Sequence, residues 1–305
     1  MSIGKYSPKP VYYRFWIVLV VLFMYAISGY TADYYSNPAS NTGNFNANGV
    51  WALTPGGAPV NFPGTSHTFY ITTGDNITIA ANQTAGGIIV ESGGTLTMSG
   101  NRTVTCPSVT INSGGLMALT TTRPTFTGDI TNDGSITGTT ARLTANTGTF
   151  TNNGTIEFGA GRITRSTGPL INSGSIILNT TGGQFTATTG SFTNTASGTL
   201  AITGTATVTL GTGDFVNDNT SASVNFGSSA ITLTGTVSRS VGGFTTTGRF
   251  SANNTGGTIT LTGNVNCNGI TRNGTGGTVD MGAGLTHTTT GTVILSAGTM
   301  NGGSS

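Results

Sequence analysis

One line of residues recurs through the middle of this chain and limits what it can fold into. It reads Ile130-Thr-Asn-Asp-Gly-Ser-Ile136, then Phe150-Thr-Asn-Asn-Gly-Thr-Ile156, then Leu170-Ile-Asn-Ser-Gly-Ser-Ile176. Looser copies follow at Phe192 to Leu200 and at Phe215-Val-Asn217, the last reaching its apolar residue at Val224. The asparagines fall at Asn112, Asn132, Asn152, Asn172, Asn194 and Asn217, with spacings of 20, 20, 20, 22 and 23. A period in the low twenties, carried by strand-like lines, marks a coil that stacks one repeat per turn.

The surrounding composition supports strands. Only 7% of residues are charged, while Gly and Thr dominate. Low charge argues against a disordered chain, and the glycines lack the every-third spacing of collagen. Thr, Val, Ile and Phe favour strands; Gly and Asn favour tight turns. After each asparagine corner, apolar residues alternate: Leu96/Met98, Ile156/Phe158, Ile176/Leu178, Leu200/Ile202, Val224/Phe226 and Val279/Met281. A further strand follows at Leu143, Ile163, Phe185, Val208/Leu210, Ile231/Leu233 and Ile259/Leu261. Period-two alternation turns these inward and the threonines outward. The predicted fold is all-β: a single-stranded, right-handed parallel β-helix (β-solenoid) with coils of about 20–25 residues and an N-terminal cap. Phe150, Leu170, Phe192 and Phe215 should form one inward file. The register has a flaw, because Ile111 directly precedes Asn112 whereas Ile130 lies two before Asn132.

Three segments are predicted. Residues 1–32 read as an export signal, with Lys5, Lys9 and Arg14 ahead of a thirteen-residue apolar run from Phe15 to Ile27. Small residues allow cleavage after Ser28 or Ala32, and the run is short for a membrane span. Contact with a membrane is therefore expected only through this signal, and the remainder should be extracellular or on a bacterial cell surface. Residues 33–67 depart from the repeat and carry Tyr34, Tyr35, Phe45, Trp51 and Phe62 among four prolines. They suit a cap over the open end of a coil. Residues 68–305 are the solenoid.

The line Asp33-Tyr-Tyr-Ser, with Gly43-Asn-Phe, Gly49-Val-Trp51, Phe62-Pro-Gly64 and Ile71 to Ile79, resembles the opening of large surface proteins exported by the type IX secretion system. In those, a Trp-containing segment and a Pro-Gly turn lead into β-solenoid lines similar to Ile89-Val-Glu-Ser-Gly-Gly-Thr-Leu-Thr-Met98. The resemblance covers roughly residues 33–115. It implies an adhesin-like, extracellular setting and supplies no catalytic residue.

Candidate chemistry is sparse. The asparagines are read as a structural file of stacked amides, since an amide both donates and accepts. Gly134, Gly154 and Gly174 are expected to supply a positive backbone angle at the corner. Arg142 and Arg162 are 20 apart and should stack, as a weak site for an anion or acidic glycan. Trp51, Tyr34 and Tyr35 are the residues that would stack on sugars. Asp129/Asp133 and Asp214/Asp218 sit beside turns, coils apart, and His67 and His287 lie near opposite ends, so no acid–base or nucleophile pair forms. The acids lack the rhythm of calcium-binding coils; no cofactor is expected, and calcium has no support. Cys106 and Cys267 are some seven coils apart, beyond disulfide reach, and read as buried free thiols. Threonine pairs such as Thr103/Thr105, Thr207/Thr209, Thr232/Thr234 and Thr260/Thr262 suggest an ice-binding rank, but Gly211 interrupts the second column.

Beyond residue 32 eight arginines face nine acids, which excludes the basic face that nucleic acid requires. The expected role is a secreted or cell-surface structural module, such as a stalk, adhesin or fibre component, without catalysis. The alternatives are an extracellular glycan-binding module and a polysaccharide-active β-helix enzyme. Expected partners are surface glycans, neighbouring cells, or a second copy stacked head to tail.

Overall fold

The computed structural model describes residues 31–37, 41–179, 183–203, 205–219, 223–229, 231–233 and 238–302. Residues 1–30 of the predicted export signal, with the Ser28 cleavage point, lie outside the described residues.

The described chain is an all-β solenoid of about ten turns, each of about 21 residues. One coil serves as the pattern. Phe150–Asn152 lies on a first sheet, Thr155–Phe158 on a second and Arg162–Arg165 on a third, after which Leu170–Asn172 returns to the first. We call these sheets A, B and C; they hold 14, 12 and 11 strands. Successive coils pair in parallel, Phe150 on Leu170, Ile156 on Ile176 and Ile163 on Phe185.

The alternation in the sequence explains the core. In Thr155–Phe158 and Ser175–Leu178 the first and third residues face out and the second and fourth are buried. Ile130, Phe150, Leu170, Phe192 and Phe215 form one inward file on sheet A, where the rings of Phe192 and Phe215 stack at 5.4 Å. Each inward Val, Leu, Ile or Phe contributes roughly 1.5–3 kcal/mol by leaving water.

The head of the solenoid is closed by sequence that breaks the repeat. Asp33–Ser36 already pairs in parallel with Thr68–Ile71, so coil-type pairing begins inside the segment expected to be wholly a cap. Trp51–Ala52 then folds back antiparallel on Tyr35 and Ser36 and bridges to Val60. Phe45, Trp51, Phe62 and Phe69 pack over the core, with the Trp51 ring 5.1 Å from Phe45 and 4.7 Å from Phe69.

Three predicted placements are corrected. First, Asn112 is not in the asparagine file: Ile111 pairs with Asn132, and Asn112 is exposed. The cause is a change of corner. Four residues, 112–115, separate Ile111 from Leu116, but only Asp133 and Gly134 separate Asn132 from Ser135, which pairs with Leu116. Second, Gly134, Gly154 and Gly174 do not adopt positive φ; Gly93 and Gly114 in the longer corners do. The short corners need glycine for closeness. A Cβ at Gly154 would stand 2.1 Å from the Gly134 carbonyl oxygen, and one at Gly174 2.1 Å from that of Gly154. Third, Ile259/Leu261 and Val279 belong to sheet A. A single enlarged coil, 26 residues from Phe215 to its partner Val241, displaces the count; sheet C continues instead through Phe250/Ala252 and Ile270/Arg272.

Candidate functional site

The asparagine file lies inside the molecule. Asn132, Asn152, Asn172 and Asn194 are fully buried. Each donates one amide proton to the next: Asn132 to Asn152 at 2.7 Å, Asn152 to Asn172 at 2.7 Å, Asn172 to Asn194 at 2.8 Å and Asn194 to Asn217 at 3.0 Å. The second proton reaches a main-chain carbonyl of the next corner, such as Thr155 O at 3.1 Å or Thr199 O at 2.9 Å. Only Oδ1 of Asn132 is left without a partner, because Ile111 lies above it. This file is structural; Asn132 to Asn194 are shut off from solvent, and Asn217 at its end is partly exposed.

The predicted aromatic platform is not a platform at Trp51. Its ring is 0% exposed and its indole N–H donates to Phe45 O at 2.6 Å. Tyr34 packs partly buried on the core, against Phe69 and the His67 ring. Tyr35 stacks on Tyr70 at 4.9 Å on sheet A; burial first, and then the Asp33 charge, push the Tyr70 hydroxyl pKa up. The tyrosines and the arginine pair therefore lie on different sheets and do not form one site.

Arg142 and Arg162 do stack, at the first position of their strands on sheet C, with Gln184 and Thr207 next in the same column. Arg162 is exposed and donates to Gln184 Oε1 at 3.3 Å; Arg142 is half-buried and its Nε has no partner. The Arg142 amide bonds Thr122 O as the Arg162 amide bonds Ala141 O, which sets exposed Arg123 one coil above Arg142. Two residues on, a second outward column runs Thr103, Thr125, Thr144, Thr164, Thr186, Thr209, Thr232, Ser251, Thr271. Thr260, which the sequence groups with Thr209 and Thr232, lies instead on sheet A; Thr234 lies outside the described residues. Oγ1 of Thr164 and of Thr186 is buried and unpartnered, so these hydroxyl oxygens turn away from water. A groove of about 760 Å³ opens on the sheet B side of the corner before this face, lined by Thr137, Thr140, Glu157, Ala160 and Asn179 among others. Asn179 donates to Glu157 Oε1 at 2.7 Å.

A different arginine was missed. Arg165 points inward, 1% exposed, between Ala145 above and Ala187 below. Its Nη1 donates to Ala145 O at 2.8 Å, its Nε to Gly168 O at 2.9 Å, and its Nη2 to Gly148 O. Arg272 repeats this beneath Ala252, donating to Ala252 O at 3.1 Å and Gly277 O at 2.5 Å. Burial lowers both pKa values, and the Asp129 charge opposes the shift at Arg165. The signal was parity: Arg165 shares the face of Ile163, and Arg272 that of Ile270.

The remaining polar groups brace the coils. Asp129 accepts from the Thr149 amide at 2.6 Å, Asp133 from Asn153 Nδ2 at 2.7 Å and Asp214 from the Ser240 amide at 2.8 Å. His287 accepts at Nδ1 from Val265 N and faces Met281 O through Nε2, which places its proton on Nε2. Cys106 and Cys267 are free and buried; burial pushes the Cys106 thiol up to about 11. Among the described residues no three His, Cys, Asp or Glu side chains gather as a metal site. No protein-family model matches the chain, and neither the curated proteins nor the solved structures contain a significant match.

Proposed function

We propose that the chain is a secreted or cell-surface structural module, a rigid spacer of the stalk or adhesin type, and that it performs no catalysis. The observation that supports this is where its polar side chains are spent. The asparagines, the inward arginines and the carboxylates of Asp129, Asp133 and Asp214 each join one coil to another. Stability in such a stack is a sum over neighbouring coils, so a braced repeat serves to extend a rod. The export-like N-terminal sequence and the resemblance to type IX cargo at residues 33–115 favour an extracellular location. Intact producing cells, probed with antibody against the solenoid and then shaved with protease, are expected to label and to lose the protein. Retention inside the cell under both treatments would overturn the reading.

A further inference from the structure

We infer that the outer face of sheet C binds an anionic polysaccharide lying along the solenoid axis. Charge is sorted around the cross-section. None of the nine acids lies on a strand of sheet C, whereas Arg142, Arg162 and Arg249 face outward from that sheet. Arg123, Arg142 and Arg162 occupy one column in three successive coils, about 4.8 Å apart. Like charges at that spacing repel, and the column itself contains no acid to offset them: below Arg162 come Gln184 and Thr207. A guanidinium presents a planar fork of donors suited to carboxylate or sulfate, and those of Arg123 and Arg162 belong to exposed residues.

The neighbouring groups select the kind of polyanion. Beside the arginines runs the threonine column. On the other side, Thr140 and Ala160 of the groove wall lie two residues before Arg142 and Arg162. Threonine methyls, the small apolar surface of Ala160 and the Asn179 amide suit the rings of sugars. Glu157 in the same groove disfavours a polymer with a charge on every unit along both strands, and the sheet C column carries no aromatic ring on which a base would stack. A single-stranded acidic glycan, with one carboxylate per sugar and free ring hydroxyls, fits both features: its anions meet the arginine column, and its hydroxyls can donate to Glu157.

Affinity electrophoresis of the full chain tests this, in gels holding polygalacturonate, neutral dextran or duplex DNA. Retardation is expected in polygalacturonate and not in dextran. The R142Q/R162Q variant should bind roughly tenfold more weakly for each arginine removed, with an unchanged melting temperature, and R142K/R162K should recover part of the loss. Equal retardation of wild type and R142Q/R162Q would overturn the assignment, as would no retardation at all. DNA retarded as strongly as polygalacturonate would make the partner a nucleic acid. Abolition by inorganic sulfate at low ionic strength would reduce the site to one for isolated anions. The outcome is independent of cell-surface labelling, so either conclusion can fail alone.

Discussion

At the scale of single residues the buried amides carry the most testable energetics. A buried polar atom left unpaired costs about 1–3 kcal/mol. Asn152→Leu would strand both Asn132 Nδ2 and Asn172 Oδ1, because it removes the acceptor for one and the donor for the other. We expect a loss of roughly 2–5 kcal/mol. Asn132→Leu strands Asn152 Oδ1 but removes the orphan Asn132 Oδ1, so the file merely starts one coil later. Its loss should be near ~1 kcal/mol, mostly the bond to Thr155 O. Denaturant melts followed by circular dichroism read the difference. Equal destabilisation by the two substitutions would mean the amides act separately.

At the scale of the strand, position decides what a charged residue does. Arg162 and Arg165 share one strand. Arg162→Gln, on the outside, should change stability by less than about 0.5 kcal/mol. Arg165→Met should cost on the order of 2–4 kcal/mol, since the carbonyls of Gly148 and Gly168 lose the guanidinium donor and that of Ala145 keeps only the Ser166 amide. Arg165→Lys should not recover this, because one ammonium cannot span the fork; full recovery by lysine would refute the account. The same strand shows what was legible beforehand. The alternation of Leu143, Ile163 and Phe185 gave the inward face and the stacking of Arg142 on Arg162. The same alternation puts Arg165 on the buried face of Ile163, against the general tendency of charge to lie outside. Asn132, Asn152 and Asn172 were readable as a file because their corners have one length. Asn112 was misassigned because a longer corner preserves the 20-residue spacing while shifting the register. The sheet C threonines were lost after Thr232 because no local signal marks the 26-residue coil that ends at Val241. Trp51 looks alike in sequence whether it seals a core or meets a sugar; only its burial decides.

At the scale of the whole solenoid, cover for the core and charge are both unevenly placed. The head is closed over sheet A by antiparallel Trp51–Ala52. Among the described residues, Val293 and Leu295 hold inward-file positions under Ile270 and Arg272, and they are 53% and 56% exposed. The sorting of guanidinium and carboxylate groups has its own mechanical result. Such a rod carries an electric moment across its width, perpendicular to its length. Near a negatively charged sheet of material it will roll until one side faces down, and salt will release that preferred roll angle.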